Sequence, residues 1–240
     1  MTGRVVSSRN ARYPRPMESD TPRAEALPRA ELLRASPPMF ESRLLDRFTR
    51  VHPAVPPLLF LPAIAVCATL AFLQDNPLEA GPGLVAGYGL WTFSEYWIHR
   101  IVFHFEPEQG VAARFHWMIH GAHHDHPNDP RRLVMPPVVS LPLASAFFGL
   151  FVVAFSLPLA WSITAGFFAG YLAYDMLHYA LHHARARGPI TRRLRELHMR
   201  HHFEDDRRGF AVSAPWWDIV FGTASPRTRR QARGGASITP

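Results

Sequence analysis

The stretch Val55-Pro-Pro-Leu-Leu-Phe-Leu-Pro-Ala-Ile-Ala-Val-Cys-Ala-Thr-Leu-Ala-Phe-Leu73 carries no charged side chain. As a helix it is long enough to cross about 30 Å of hydrocarbon. A soluble core would scatter its apolar residues through the chain, whereas here they gather into a few long runs, so this stretch reads as a first membrane span. Working outward, Gln74-Asp-Asn-Pro-Leu-Glu79 is a short polar turn without arginine. Gly83 to about Ile98 then forms a second span whose far end carries Glu95, His99 and Arg100. Val134–Leu157 and Leu159 to about Ala180 repeat the arrangement, divided near Pro158 by another turn that lacks arginine. The expectation is an all-α integral membrane protein with four transmembrane helices in two hairpins, both chain ends returning to one side.

Charge supplies the side. All 26 basic residues are arginine, and the formal net charge is +7. The mean hydropathy near zero hides a very apolar middle between Arg-rich ends. The arginines fall in three blocks, Arg4 to Arg50, Arg100 to Arg132 and Arg185 to Arg233. These interleave with the spans, which disfavours a continuous basic domain for nucleic acid. Arginine bias in short loops marks the shared side as cytoplasmic, with both termini and the polar segments there, in a setting expected to be a bacterial inner membrane. Arg4, Arg9, Arg12 and Arg15 are followed by no apolar run before Pro53, so no cleavable signal peptide is expected. Cys67 is the sole cysteine, which excludes an internal disulfide and a thiolate metal site.

Residues 1–38, rich in Arg, Pro, Ser and Glu, are expected to be a disordered tail, residues 39–225 a membrane domain, and residues 226–240 a second disordered tail. Met39, Phe40, Leu44, Leu45 and Phe48 recur at helical spacing, which fits either a helix on the membrane surface or one packed on the domain. Trp216-Trp217 fits an interfacial anchor.

Of the 14 histidines, all but His52 are grouped: 99 and 104; 116, 120, 123, 124 and 126; 178, 182 and 183; 198, 201 and 202. Four spans would bring every group to one membrane depth, the convergence that a metal site needs. Residues three or four apart share a helix face, while residues five apart diverge by about 140°. His120, His123 and His124 therefore share a face, as do His178 with His182, and His198 with His201 and His202. His182 is preferred to His183. His99 and His104 cannot face one point from an unbroken helix, so they serve different metals or flank a helix end. The imidazoles exceed what one ion can take, and neutral imidazole suits iron, zinc and copper. Glu95, one turn before His99, and Asp175, three residues before His178, are expected to orient and polarise the imidazoles. His116 and His183 are read as supporting residues beside the ligands, and His52 as an ordinary interfacial side chain.

These residues resemble the fatty acid hydroxylase superfamily, most closely the fatty acid 2-hydroxylases, from about Glu95 to Thr223. The most specific part is His120-Gly-Ala-His-His-Asp-His-Pro-Asn-Asp-Pro-Arg-Arg-Leu-Val-Met-Pro-Pro137. It is supported by Glu95-Tyr-Trp-Ile-His-Arg-Ile-Val-Phe-His104, Tyr174-Asp-Met-Leu-His-Tyr-Ala-Leu-His-His183, His198-Met-Arg-His-His202 and Pro215-Trp-Trp-Asp-Ile-Val-Phe-Gly-Thr223. The resemblance implies a four-helix membrane base and a cytoplasmic cap with two iron ions, which zinc can displace. The implied ligands are His99, His104, His120, His123, His124, His178, His182, His198, His201 and His202. The implied reaction is hydroxylation of a membrane lipid acyl chain at carbon 2 with dioxygen. Residues 1–54 are too short for an attached cytochrome b5 domain and lack its His-Pro-Gly-Gly motif, so a separate cytochrome b5-like or ferredoxin-like electron donor is expected. Arg100, Arg131 and Arg132 are candidates for holding the lipid head group. The alternatives are a sterol or carotenoid hydroxylase or desaturase of the same superfamily and, from another class, a membrane metal transporter.

Overall fold

A computed structural model describes residues 28–74, 77–105, 107 and 109–226. Among the described residues every regular element is helical. Helices α1 (Arg29–Leu32) and α2 (Arg43–Phe48) precede the two long helices α3 (Val55–Gln74) and α4 (Pro77–Trp97). A π-helix, π1 (Ile98–Phe103), continues α4. The next segment contains α5 (Gly110–His116), π2 (Trp117–Gly121) and α6 (Ala122–Asp125), and it leads to α7 (Pro137–Ala154) and α8 (Leu157–His183). Helices α9 (Gly188–Phe203) and α10 (Trp216–Val220) complete the fold. Helices α7, α8 and α9 each carry proline at the first or second position, where the missing N–H would have had no helical partner in any case.

Two of these helices, α3 and α7, are long and apolar enough to cross a membrane. Both turn large apolar side chains outward, among them Leu58, Val66 and Leu73 on α3 and Val138 and Val153 on α7. Helix α8 is the central element, packed against α3, α4 and α7 and buried from Ala160 to His182 on most of its surface. Four spans were expected, and α4 and α8 differ from α3 and α7 because they serve each other. Gly83 and Gly87 on α4 face Ser162 and Ile163, while Gly166 and Gly170 on α8 face Leu84 and Trp91. A Cβ on Gly87 would collide with the Ile163 carbonyl, and one on Gly166 with the Leu84 carbonyl. Two small-residue pairs four apart thus let the backbones meet directly. Beside this seam Phe60 packs on Phe168 and Tyr171, with ring centroids 5.5 and 4.6 Å apart. Trp91 packs 5.2 Å from both Phe167 and Tyr171.

The expected N-terminal tail requires correction over residues 28–38. The Leu33 carbonyl accepts from Asn128 N at 2.9 Å, the Leu32 carbonyl meets His126 Nδ1 at 2.6 Å, and Ser36 Oγ donates to Asp129. Polar backbone and hydroxyl groups anchor this segment where apolar burial would not, which a reading of hydrophobic period overlooks. Residues 1–27 and 227–240, the rest of both expected tails, lie outside the described residues. Helix α2 is packed on the domain, the second of the two arrangements expected for it. Asp46 is buried and accepts from Met39 N (2.7 Å), Arg50 Nε (2.9 Å) and Arg132 Nη2 (2.8 Å), while Leu44, Leu45 and Phe48 point outward.

Candidate metal centre

Four segments deliver histidines to one end of the helical base: π1 with His104, the π2–α6 segment, the C-terminal end of α8, and α9. Their imidazoles sort into two groups of five, His99, His104, His120, His124 and His201 in one, and His123, His178, His182, His198 and His202 in the other. Within each group one nitrogen from every ring lies within 4.8 Å of all the others. In the first group the Nε2 atoms of His99 and His120 are 3.2 Å apart, those of His104 and His201 3.0 Å, and those of His120 and His124 2.9 Å. In the second, His123 and His178 are 3.1 Å apart, His182 and His198 2.8 Å, and His198 and His202 3.1 Å.

The arrangement of the pairs follows helix geometry. Residues four apart, His120 with His124, His178 with His182, and His198 with His202, fall in the same group because their side chains stand one turn above another. The histidine three along, His123 or His201, reaches into the other group. Each His-x2-His-His motif thus straddles both groups. His99 and His104 share one group, their Nε2 atoms 3.2 Å apart, so the alternative in which they serve different metals is not what the fold provides. The reason is π1: His104 N bonds to the His99 carbonyl at 3.1 Å, the i→i+5 pattern of a π-helix, which returns residues five apart to one face.

The chemistry of this donor set fits metal ions. Burial, followed by neighbouring imidazoles, holds His99, His104, His120, His123, His124, His198 and His202 below the usual histidine range, and neutral imidazole is the form that binds metal. With metal–nitrogen bonds of about 2.1 Å, adjacent ligand nitrogens would be about 3.0 Å apart and opposite ones about 4.2 Å. The closest Nε2 pairs here, 2.8 to 3.2 Å apart, match the adjacent spacing. The Nδ1 atoms of His99 and His201 face the carbonyls of Phe210 (2.5 Å) and Arg208 (2.9 Å). A carbonyl only accepts, so in each ring Nδ1 carries the proton and the Nε2 lone pair points into the cluster.

The supporting residues are placed differently from expectation. Glu95, buried one turn from His99, accepts from the amides of Val212 (2.7 Å) and Ser213 (2.8 Å) and from Ser213 Oγ, and it bonds to no imidazole. Asp175 accepts from Met135 N at 3.4 Å and Tyr171 OH at 3.5 Å. Both carboxylates fasten loops, because backbone amides reach them where the rings do not. His116 stands outside both groups with Nε2 donating to the Phe103 carbonyl at the end of π1. His183 is exposed and stacks on Tyr179 at 4.6 Å. Arg132 is engaged by Asp46 and the Pro37 carbonyl, its side chain 4% exposed, so it is not free to hold a head group. Arg100 donates to Tyr96 OH at 2.8 Å and lies over the Tyr96 and Trp97 rings, while Arg131 is exposed.

The sequence reading missed Asp218. It is buried and accepts from Phe210 N (2.9 Å) and Ala211 N (3.0 Å), and Thr223 Oγ1 donates to it at 2.8 Å. The turn before this segment places Gly209 at φ 76°, a conformation that favours glycine. An acid directly after Trp216-Trp217 is the one signal that pointed there.

The family described as fatty acid hydroxylase matches residues 84–223, which contain all of the grouped histidines. The chain belongs to the fatty acid hydroxylase family. As a fatty acid hydroxylase by family it is an oxidoreductase. It is 36% identical over 188 residues to a dihydroceramide fatty acyl 2-hydroxylase of Arabidopsis thaliana, covering 78% of this chain and 79% of the relative. It is 37% identical over 195 residues to a ceramide very long chain fatty acid hydroxylase of Saccharomyces cerevisiae, covering 79% of this chain and 50% of that one. The human fatty acid 2-hydroxylase is 37% identical over 166 residues, covering 66% of this chain and 44% of the relative. The chain thus spans about half the length of the yeast and human relatives. Among solved structures, full-length scs7p, of which only the hydroxylase domain is visible, superimposes with a TM-score of 0.74 at 35% identity over 77% of this chain and 70% of that one.

Proposed function

We propose that this chain is a membrane di-iron oxygenase that hydroxylates carbon 2 of a lipid acyl chain, using dioxygen and electrons from a separate donor protein. The observation that carries the reading is the pair of five-imidazole groups, assembled at one end of a base whose α3 and α7 have apolar outer faces. The names of the similar proteins supply the acyl chain and the position. In this reading α3, α4, α7 and α8 all cross the bilayer as two hairpins. The arginine-bearing segments lie at the histidine end, which makes that end cytoplasmic.

The ten grouped histidines would hold the two irons, which when bound supply the activation of dioxygen needed to break an unactivated C–H bond. The protein's own contribution is to orient and shield. Phe103 stacks on His120 at 4.8 Å, and Phe210 packs 5.3 Å from His104 and 5.9 Å from His99 and His201, so apolar rings exclude water beside the first group. An apolar groove lined by Phe60, Ala144, Phe147, Phe168 and Tyr171 opens between α3, α7 and α8, about two helical turns from His178 along α8. Its free space of about 20 Å³ holds little more than a water, so an acyl chain entering from lipid would have to displace these side chains. Of the candidate arginines, the proposed partner of a head group is Arg131, which is exposed, with Arg100 beside Tyr96 as the second.

Expression in a host membrane followed by lipid mass spectrometry tests the reading. Acyl chains are expected to gain one oxygen at carbon 2. The gain should vanish in His120→Ala and in His124→Ala while each variant still inserts. An oxygen elsewhere on the chain would overturn the regiochemistry, and full activity in either variant would overturn the ligand assignment.

A further inference from the structure

We propose that Glu95 and Asp218 are positioning residues that act together through the segment Phe210–Ser213, and that they make the His99 group the tighter of the two metal sites. This rests on the reading of the ten histidines as ligands of two metals, and it concerns what distinguishes one site from the other.

The starting observation is a closed ring of contacts. Glu95 sits on α4 one turn before His99 and receives the amides of Val212 and Ser213. Asp218, at the start of α10, receives the amides of Phe210 and Ala211. Two buried carboxylates thus bind four consecutive amides of one short segment. Each carboxyl group holds two neighbouring amides at 2.7 to 3.0 Å, so the segment is fixed at both ends. What it presents to the metal centre is the Phe210 carbonyl, 2.5 Å from His99 Nδ1. Just upstream, the Arg208 carbonyl lies 2.9 Å from His201 Nδ1. Gly209 between them is tied by its amide to the Thr223 carbonyl at 2.9 Å, and Thr223 in turn bonds to Asp218. A carbonyl on Nδ1 fixes the ring's orientation and raises the donor strength of Nε2.

The second group has no such support. His182, His198 and His202 each bury Nδ1 with no hydrogen-bond partner among the described residues. Their rings are held by packing, as where His202 lies 4.3 Å from His124 and 4.6 Å from His123. Two sites with the same number of imidazoles therefore differ in how many of those rings the backbone holds.

The test is zinc extraction from the purified, zinc-loaded full chain by excess chelator, followed by metal analysis against time. The wild type should release two equivalents in two phases. His202→Ala should lack the fast phase and His201→Ala the slow one. In Glu95→Gln and in Asp218→Asn the slow phase should accelerate by about 10- to 100-fold with the fast phase unchanged. Ser213→Ala, which removes one of Glu95's three bonds, should shift it the same way by less. It keeps the proposal testable if a carboxylate variant fails to fold. Equal acceleration of both phases would mean that the carboxylates serve only the fold, and an unchanged slow phase would mean that the clamp does not reach the metal. Either result overturns the proposal and leaves the two-metal reading intact. A wild type that binds fewer than two equivalents would instead overturn the two-metal reading itself, and this proposal with it.

Discussion

The two histidine groups hold the same number of imidazoles, and each contains at least one pair four residues apart. Their surroundings are unlike. Around the first group the backbone comes close: the Phe210 and Arg208 carbonyls meet His99 and His201, and buried acids hold the loop that carries them. Around the second, the rings of α8 and α9 meet each other, and three Nδ1 atoms are buried without a partner among the described residues. The difference teaches that the ligand set of a metal centre is a matter of helix register, whereas the support of each ligand is a matter of which loop folds back over it.

Exchanging one histidine for another probes that comparison most strongly. His201→Ala and His202→Ala are adjacent substitutions that strike different groups. Each is expected to reduce hydroxylated lipid to background, while bound metal falls by one equivalent from a different site. Liquid chromatography–mass spectrometry of lipids together with metal analysis would check both effects. If the two variants lost the same equivalent, the division into two groups would be wrong.

A smaller effect should blur the comparison. Gly166→Leu places a side chain where the Leu84 carbonyl stands, and overpacking of this kind costs about 1–3 kcal/mol, sometimes more. Because α4 leads to His99 while α8 carries His178 and His182, separating these helices should weaken both groups alike. Thermal unfolding in detergent should show a lowered midpoint, with metal lost from both sites together.

Arg132→Ala should leave the comparison untouched. Asp46 keeps Arg50 and the Met39 amide, so the loss is that of the guanidinium's hydrogen bonds to Asp46 and the Pro37 carbonyl, each about 1.5–3 kcal/mol at most and reduced by the partners that remain. Two equivalents of metal should still bind, with a modest drop in the unfolding midpoint. The smallest effect is expected from His183→Ala. Its ring is exposed and outside both groups, so stability should change by no more than about 0.5 kcal/mol. Metal content and product should match the wild type, and a lost equivalent would place His183 among the ligands.

Much of the candidate site was legible in the chain because helical ligands announce themselves by spacing. His178 and His182 stand one turn apart on any α-helix, and the same rule set His183 aside. The rule failed at His99 and His104, since it presumes an α-helix and the backbone there is π-helical. It also misjudged Glu95 and Asp175: proximity in sequence to a histidine was read as contact, whereas both carboxylates turn to amides brought in from elsewhere. Apolar runs located the long helices. They did not distinguish α3 and α7, which face outward, from α8, which is enclosed, because hydropathy measures what a residue is and not what covers it. The glycines four apart at Gly83–Gly87 and Gly166–Gly170 were the overlooked clue to that seam.

By itself the sequence determined the helical class, the long helices and the histidines capable of meeting, since these follow from local period and from side-chain chemistry. Only the tertiary structure decided which histidine joins which group, which helix lies at the centre and which carboxylates hold the Phe210 segment. Those outcomes depend on contacts between separate elements, of which Glu95 with Val212 and Ser213 joins residues more than a hundred positions apart, and no local pattern encodes where two distant backbones will touch.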